Sequence, residues 1–135
     1  MINPAEEAVL AANRGFYAAF RTRDASAMER LWAKTSPVAC VHPGWDAIHG
    51  RDAVLASFRA ILGSSRSPDI RASHETVLFL GETAMVTCTE HIGEAELVAT
   101  NVFFFEEGAW KMVHHHASPT ARERPSVPVP TSRLN

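Results

Sequence analysis

Three consecutive histidines, His114, His115 and His116, lie in a segment whose composition and alternation predict a β-strand. Successive side chains of a strand point to opposite faces of its sheet, so at least one of the three faces the interior. Imidazole titrates near neutral pH without help from its surroundings, so an inward histidine can act as a base, a hydrogen-bonding group or a metal ligand. The alternative is one hydrogen-bonded core histidine beside two surface histidines.

Strict alternation divides this last strand into two faces. One face carries Lys111, Val113, His115 and Ala117, and the other carries Trp110, Met112, His114 and His116. His114 and His116 project side by side and could chelate a metal ion together with His42 or Glu90. Short His-x-His matches are common, and no carboxylate lies at a diagnostic spacing. No metal site is therefore predicted, and the histidine-based metal hypothesis is kept as a third alternative.

The carboxyl group of Glu90 is the second candidate for chemistry. Alternation along the segment from 86 to 90 groups Val86, Cys88 and Glu90 on one face. If that face points inward, the carboxyl group lies in an apolar wall, where burial raises its pKa and suits it to general acid or general base catalysis. The alternative is an exposed glutamate at the end of a strand, because glutamate is seldom buried without a partner.

Asn101 is the third candidate, because it interrupts an otherwise apolar run from 97 to 105. A buried amide needs hydrogen-bond partners. It can donate to a ligand oxygen, or it can satisfy backbone groups at a β-bulge. The amphipathic aromatic residues Tyr17 and Trp45 suit the rim of a pocket, although Tyr17, on a helix beside Phe16, also suits a core.

Composition excludes several classes of partner and cofactor. The chain has 135 residues and a net charge of -2, so it has no basic field for nucleic acid or an anionic membrane. No apolar run is long enough to span a membrane and no leader segment is recognisable, so a cytoplasmic location is predicted. Neither a phosphate-binding loop nor a dinucleotide fingerprint occurs, and no cofactor is predicted. The two cysteines are far apart in sequence and are expected to be buried free thiols.

The first half of the chain carries the signals of helices. Asn3 followed by proline is typical of a helix start, and the apolar spacing that follows predicts a helix over 4–23. Asp24 is predicted to cap a second, shorter helix. A short strand over 38–42 and a third amphipathic helix over 50–63 are expected to follow.

The second half changes to a period of two. Four strands separated by glycines at hairpin spacing are predicted, over 70–80, 83–92, 96–105 and 110–117. Helices followed by a meander of antiparallel strands are typical of an α+β domain. One domain over residues 1–118 is therefore predicted, followed by a proline-rich C-terminal arm or tail over 119–135.

Three segments carry a resemblance to a known family. They read Cys-Val-His-Pro-Gly-Trp over 40–45, Ile-His-Gly-Arg over 48–51 and Gly-Ala-Trp-Lys-Met-Val-His-His-His-Ala-Ser over 108–118. With this order of elements, the chain resembles the SnoaL-like branch of the nuclear-transport-factor-two-like superfamily, to which ketosteroid isomerase also belongs. The resemblance implies a cone-shaped α+β barrel, with three N-terminal helices packed in a strongly curved, mainly antiparallel sheet. It also implies a homodimer formed through the outer face of the sheet.

Matched residue by residue, the resemblance implies altered chemistry. Asn101 falls where ketosteroid isomerase has a proton-donating acid of its oxyanion hole. Phe16 takes the place of the oxyanion-hole tyrosine, and Val41 or His42 takes that of the catalytic aspartate. The association domain of calcium/calmodulin-dependent protein kinase belongs to the same superfamily, and similarity to it implies that His115 points into the cavity.

The chain is therefore predicted to enclose a cavity that binds a small, largely apolar organic molecule. If the protein is an enzyme, the predicted chemistry is cofactor-independent and of the isomerase, cyclase or dehydratase type, with Glu90 or His115 as general base and Asn101 as electrophilic donor. The alternative is a non-catalytic dimerisation or ligand-sensing module of the same fold. The residues predicted to line the cavity are Phe16, Tyr17, Trp32, His42, Trp45, Phe58, Cys88, Phe103 and Val113.

Overall fold

The computed structural model describes residues 3–120 and contains three helices and six strands. In chain order these are α1 (Pro4–Thr22), α2 (Ala25–Leu31), β1 (Ala39–Val41), β2 (Ile48–His49), α3 (Arg51–Gly63), β3 (Arg71–Leu80), β4 (Thr83–Ile92), β5 (Ala95–Glu106) and β6 (Ala109–Pro119). None of the helices in this range is both long and apolar enough to cross a membrane. The predicted C-terminal arm lies outside the described residues, apart from its first two, Pro119 and Thr120.

Side chains at both predicted N-caps begin the first two helices. The backbone N–H of Glu6 donates to Asn3 Oδ1 at 2.7 Å, and the N–H of Ala27 donates to Asp24 Oδ1 at 3.0 Å. These bonds satisfy donors that a helix leaves open in its first turn. The first helix ends where Arg23 adopts a left-handed conformation with a φ of 53°. Both helix starts expected from the sequence are therefore confirmed.

The six strands form one sheet in the order β2-β1-β6-β5-β4-β3. The strands from β3 to β6 make the predicted antiparallel meander, and β2 pairs antiparallel with β1. A parallel pairing of β1 with β6 places Cys40 opposite His115. The sheet is therefore mixed, curved and unclosed, and α1 packs against β3, β4 and β6. This arrangement confirms the predicted cone-shaped α+β fold.

A β-bulge interrupts the alternation of β6. His114 pairs with Val102 and Met112 pairs with Phe103, so Val113 is the extra residue between the two pairs. An extra residue shifts the alternation by one position, so beyond the bulge the residues expected to face inward face outward, and the reverse. Met112 is fully buried, whereas Val113 is only half-buried. The expected alternation, which groups Val113 with His115 and Met112 with His114 and His116, therefore does not hold across the bulge.

A second bulge, in β3, turns a carboxylate toward α1. The register of β3 against β4 shifts between Ser73 and Thr76, and His74 within the shift has a positive φ of 55°. This left-handed conformation costs a residue with a Cβ roughly 1 kcal/mol, so it persists only where surrounding contacts hold it. Glu75, the next residue, accepts a hydrogen bond from Asn13 on α1.

A single carboxylate holds the segment that leads into β1. Glu106, at the end of β5, accepts hydrogen bonds from the backbone N–H groups of Lys34, Thr35 and Ser36 at 2.9 to 3.2 Å. The hydroxyl groups of Thr35 and Ser36 donate to the same carboxylate. Together these bonds lower the pKa of Glu106 to about 2, with the Thr35 hydroxyl as the largest cause. The segment is therefore fixed against β5 just before it enters the sheet.

Candidate functional site

A cavity of about 250 Å³ lies between the helices and the sheet. Its lining comes from α1, the turn after β1, α3, the segment before β3, and the strands β4 and β6. The lining residues are Phe20, His42, Pro43, Trp45, Ile61, Pro68, Ile70, Glu90, Ile92 and His115. Three of them carry titratable groups, and the rest are apolar or aromatic. An apolar wall that includes a few polar groups is the mixture expected of a small-molecule site.

Only some of the predicted site residues line this cavity. Those that do are His42, Trp45, Glu90 and His115. Val113, which the bulge in β6 displaces, is not among the lining residues of the described range. Its contact with a ligand stays a prediction. The lining residues that sequence reasoning missed are Phe20, Pro43, Ile61, Pro68, Ile70 and Ile92. The sequence carries no signal for them, because an apolar side chain fits a solid core equally well.

The aromatic residues predicted to form cavity walls pack against one another instead. The ring centroid of Phe58 lies 5.8 Å from that of Phe16 and 5.7 Å from that of Trp32. Phe103 and Cys88 belong to the same core, and both cysteines are buried free thiols, as predicted. None of these side chains is among the cavity-lining residues of the described range. Their contact with a ligand stays a prediction.

Glu90 presents a buried carboxyl group to the cavity. As predicted, Val86, Cys88 and Glu90 all face inward, and Glu90 is only 2% exposed. The hydroxyl group of Tyr17 donates to Glu90 Oε2 at 2.7 Å. Burial raises the pKa of Glu90, and the hydrogen bond from Tyr17 opposes part of that rise. Burial thus favours the protonated acid, whose proton belongs on Oε1 because Oε2 accepts from Tyr17.

Replacing Tyr17 by phenylalanine is expected to raise the pKa of Glu90 further. The change removes the hydroxyl group that stabilises the charged carboxylate and keeps the buried ring. Carbon-13 NMR of the Glu90 side-chain carboxyl group, followed through a pH titration, measures the shift. Thr89→Val, on the opposite face of β4, is the control and should leave the pKa unchanged. A Glu90 pKa that falls or stays constant in Tyr17→Phe would contradict this prediction.

His115 is held by one hydrogen bond and by an aromatic contact. Its Nδ1 lies 2.6 Å from Asn101 Oδ1, and its ring centroid lies 4.8 Å from that of Phe16. Burial lowers the pKa of His115 to about 3, and the nearby imidazole of His42 adds to the effect. The ring is therefore neutral at physiological pH. The structure places His115 inward, as the resemblance implied.

Asn101 is fully engaged with other protein groups. Its Nδ2 donates to Asn13 Oδ1 at 2.8 Å and to the Tyr17 hydroxyl oxygen at 3.1 Å, and its Oδ1 faces His115. A side-chain amide has two N–H groups, and both have partners here. Its predicted role as a donor to a ligand stays a prediction. The geometry favours a positioning role, because the amide joins His115 to Tyr17 and, through Tyr17, to Glu90.

His42 contributes the second imidazole of the cavity. The hydroxyl group of Ser57 donates to the carbonyl oxygen of Val54 at 2.6 Å, so it accepts from His42 Nε2 at 2.9 Å. The His42 ring also contacts the rings of Trp45 and Phe58, with centroids 4.9 Å apart in each pair. Burial lowers the pKa of His42. The neutral ring carries its proton on Nε2 and leaves Nδ1 as an acceptor.

Comparison with known proteins identifies the family. Residues 9–122, which are most of the chain, match the family described as SnoaL-like domain. The chain belongs to this family. The resemblance inferred from the sequence is therefore confirmed, and structural neighbours of the nuclear-transport-factor-two-like type agree with it.

Relatives of this SnoaL-like domain carry different descriptions. A candidate dehydratase of the NTF2-like family from Streptomyces avermitilis is 34% identical, with a TM-score of 0.76 over 84% of this chain and 95% of that chain. A candidate calcium/calmodulin-dependent protein kinase type II association domain from Thiobacillus denitrificans is also 34% identical, with a TM-score of 0.66 over 82% of this chain and 94% of that chain. The F-box protein SKIP8 from Arabidopsis thaliana is 30% identical over 113 residues. The aligned region covers 82% of this chain but only 49% of SKIP8, so this chain matches about half the length of that relative. One fold thus serves several functions, so function must be argued from the site.

The three histidines of the metal hypothesis are not grouped in this SnoaL-like domain. His42 lines the cavity, whereas His116 is exposed, and His114 Nδ1 bonds the carbonyl oxygen of Ala39 at 3.0 Å. Within residues 3–120, no three His, Cys, Asp or Glu side chains lie close enough together to hold a metal ion. The arrangement gives no support to that hypothesis.

Sequence reasoning missed two polar residues that lie behind the cavity of the SnoaL-like domain. Asn13 is fully buried on α1 and accepts from Asn101, and Asn13 Nδ2 donates to Glu75 Oε2 at 2.8 Å. A signal for Asn13 exists, because it interrupts the apolar stripe that runs from Val9 to Phe16. No signal exists for Glu75, because a bulge that the sequence does not reveal turns its side chain inward.

Proposed function

We propose that this SnoaL-like domain binds a small, largely apolar and uncharged organic molecule in its cavity and acts on it by cofactor-independent acid/base chemistry. The observation that carries the proposal is a buried acid and a buried base around one cavity. Glu90 and His115 both line it, and burial favours the neutral form of each. Hydrogen bonds through Tyr17 and Asn101 join them. Titratable groups whose pKa values are shifted by burial are typical of acid/base sites.

The size and polarity of the cavity limit its ligand. Pockets for drug-sized ligands measure roughly 300 to 1,000 Å³. This cavity measures about 250 Å³, so it suits a molecule smaller than a steroid. No lysine or arginine is among its lining residues in the described range. A charged ligand would lose its hydration without gaining a partner of opposite charge, so a neutral ligand is favoured.

The arrangement suits the removal of water from a β-hydroxyketone. His115 accepts the proton from the carbon beside the carbonyl group, a carbon–carbon double bond forms, and the bond to the hydroxyl oxygen breaks. Glu90 gives its proton to the departing hydroxyl group, which leaves as water. Solvent then carries the proton from His115 back to Glu90, which restores both groups. The relative described as a candidate dehydratase, at 34% identity, supports this class of reaction.

Binding of neutral ketones tests the first part of the proposal. The probes are diacetone alcohol, a β-hydroxyketone, and mesityl oxide, the enone that forms from it by loss of water. In ligand-observed NMR, both are expected to receive saturation from the wild-type protein and not from Ile61→Trp, in which an indole fills the cavity. Ala60→Trp, at the exposed neighbouring position of α3, is the matched control and should bind as the wild type does. Absence of binding to the wild type, or equal binding to Ile61→Trp, would overturn the proposal.

Conversion of diacetone alcohol to mesityl oxide tests the second part. The conjugated enone is followed by its ultraviolet absorbance. Glu90→Gln and His115→Gln are each expected to slow the reaction by at least about 100-fold, because a positioned acid or base contributes roughly 10² to 10⁴. The exposed Glu96→Gln is the control and should keep the wild-type rate. Absence of conversion by the wild type, or unchanged rates in both variants, would remove the catalytic part and leave ligand binding alone.

A non-catalytic association or ligand-sensing module is the second candidate function. A relative at 34% identity is described as a candidate kinase association domain. The outer face of the sheet exposes apolar surface, since Val98, between the buried Leu97 and Ala99, is 46% exposed. A homodimer formed through this face would cover it. A wild-type dimer and a monomeric Val98→Lys variant in sedimentation equilibrium, together with absent conversion of diacetone alcohol, would support the module. A monomeric wild type would contradict it.

A further inference from the structure

A row of hydrogen bonds behind the cavity joins β3, α1, β5 and β6. Asn13 Nδ2 donates to Glu75 Oε2 at 2.8 Å, Asn101 Nδ2 donates to Asn13 Oδ1 at 2.8 Å, and Asn101 Oδ1 lies 2.6 Å from His115 Nδ1. Both asparagines are completely buried, so solvent does not compete for their amide groups. These four side chains form the amide row. The Nδ2 and the Oδ1 of each asparagine each have one hydrogen-bond partner within the row.

The chemistry of its carboxylate end gives the amide row a direction. A carboxylate only accepts hydrogen bonds, so Asn13 must present its N–H groups to Glu75 and its oxygen to Asn101. Asn101 then presents an N–H group to Asn13 and its oxygen to His115. Because an amide oxygen only accepts, the imidazole must carry its proton on Nδ1. A neutral imidazole has one such proton, so Nε2 carries the lone pair.

We propose that Glu75 and Asn13 are positioning residues that hold His115 in the tautomer protonated on Nδ1, with the Nε2 lone pair free for a ligand. Neither residue lines the cavity, and both act through Asn101. In the other tautomer Nε2 is a donor and cannot take a proton. The use of the lone pair as a base rests on the proposed function, whereas the tautomer is a property of the protein without ligand.

Two features fix Glu75 at the start of the amide row. Arg14 Nε donates to Glu75 Oε1 at 3.2 Å, so both oxygens of the carboxylate accept from α1. The bulge in β3 turns this side chain toward the helix, and His74 beside it is held at a positive φ. Bulges re-aim single side chains, and strained residues cluster where the geometry of a site must be maintained.

The amide row also orients the hydrogen bond to the acid. Asn101 Nδ2 donates to the Tyr17 hydroxyl oxygen at 3.1 Å, which leaves the hydroxyl proton for Glu90 at 2.7 Å. A reversed Asn101 would turn its oxygen toward Tyr17 and compete for that proton. One amide orientation therefore sets both the base nitrogen of His115 and the donor to Glu90.

Nitrogen-15 NMR of the ligand-free wild-type protein tests the proposal directly, because protonated and unprotonated ring nitrogens differ widely in chemical shift. At neutral pH, His115 is expected to show a protonated Nδ1 and an unprotonated Nε2. Because burial lowers the pKa of His115 to about 3, its ring-nitrogen signals should stay constant through the neutral pH range, which helps to assign them. A proton on Nε2 in the wild type would overturn the proposal without the need for any variant.

Glu75→Gln tests the origin of the tautomer. Glutamine keeps the shape of glutamate, but its amide can accept or donate, so Asn13 and Asn101 are free to turn over. The two ring-nitrogen shifts of His115 are expected to move toward those of the opposite tautomer. Glu82→Gln, which neutralises an exposed carboxylate outside the amide row, is the matched control and should leave the shifts unchanged. A merely structural role would lower thermal stability in Glu75→Gln without moving the shifts, and that result would overturn the proposal.

The tautomer and the proposed function can fail separately. The expected wild-type tautomer together with absent binding of diacetone alcohol would keep the positioning role and remove the proposed function. Binding and conversion of that ketone together with a proton on Nε2 would keep the proposed function and remove the positioning role.

Discussion

Replacing Asn101 by leucine is expected to lower the free energy of unfolding by about 4 kcal/mol. Leucine has a similar volume, so the change removes hydrogen bonds without opening a large cavity. It leaves two buried groups without a partner, namely His115 Nδ1 and Asn13 Oδ1. It also removes one donor to the Tyr17 hydroxyl oxygen, which keeps its contact with Cys88 Sγ at 3.3 Å. Each such loss costs about 1 to 3 kcal/mol. Urea unfolding at pH 7 measures the effect as a lower transition midpoint with an unchanged denaturant dependence.

The neighbouring Thr100→Val is the control for this experiment. Thr100 is half-buried on the opposite face of β5 and takes no part in the amide row. Its replacement should change the free energy of unfolding by less than about 0.5 kcal/mol. If Asn101→Leu unfolds at the same urea concentration as the wild type, the amide row contributes little to stability.

Acidification is expected to destabilise the wild-type protein more than a variant without the imidazole of His115. Burial lowers the pKa of this side chain from its ordinary 6.5 to about 3. Below its ordinary pKa, the unfolded chain binds a proton that the folded chain does not bind. The stability contribution is therefore complete above that pH and is lost as pH falls toward the folded pKa. The loss approaches about 1.4 kcal/mol per pH unit, or roughly 2 to 3 kcal/mol over two units.

Other buried groups contribute to the same pH dependence. The pKa of Glu106 is lowered to about 2, so its contribution is also lost in acid. Burial lowers the pKa of His42, so this group adds to the acid-induced loss. The pKa of Glu90 is raised in the folded state, so its contribution has the opposite sign. That contribution is present at low pH and is lost as pH rises through the folded pKa. Comparing His115→Gln with the wild type at each pH cancels the contributions of groups that do not interact with this imidazole.

A series of urea unfolding experiments from neutral pH downward measures the acid effect. The stability advantage of the wild type over His115→Gln is expected to shrink steadily as pH falls. His116→Gln, which changes the exposed neighbouring ring, is the control and should follow the wild type. Parallel stability curves for the wild type and His115→Gln would contradict the prediction and the buried neutral state of that imidazole.

Much of the fold could be predicted because its signals are local. Asn3 and Asp24 cap the helices that they precede. The meander is marked by segments of alternating side-chain polarity that are separated by glycines. The parallel pairing of β1 with β6 could not be predicted, because it brings together residues such as Ala39 and His114 that are 75 positions apart. The bulge at Val113 depends on the partner strand, so a single strand's pattern does not reveal it.

Two titratable residues that line the cavity could be predicted, whereas the groups that hydrogen-bond to them could not. Glu90 and His115 follow from alternation along strands and from the resemblance. Tyr17 is predicted at the rim of a pocket or in the core, and it lies in the core, where its hydroxyl group donates to Glu90. An apolar residue type does not show whether a side chain lines a cavity or packs in a solid core. Phe16 and Phe58 are therefore predicted to line the cavity, whereas they pack against the lining residues His115 and His42.

The position of β6 has a consequence for biosynthesis. It is the last of the six strands to leave the ribosome, yet it lies between β1 and β5 in the finished sheet. Before β6 is synthesised, β1 and β2 have no strand that pairs them with the rest of the sheet. The rings of His42 and His115 are then not yet at their final centroid separation of 6.5 Å. The nascent helices and the hairpins from β3 to β5 can form first. A molecule that binds in the cavity, as proposed above, could therefore stabilise only a chain whose translation has passed β6. A chain truncated earlier would form secondary structure without the cavity.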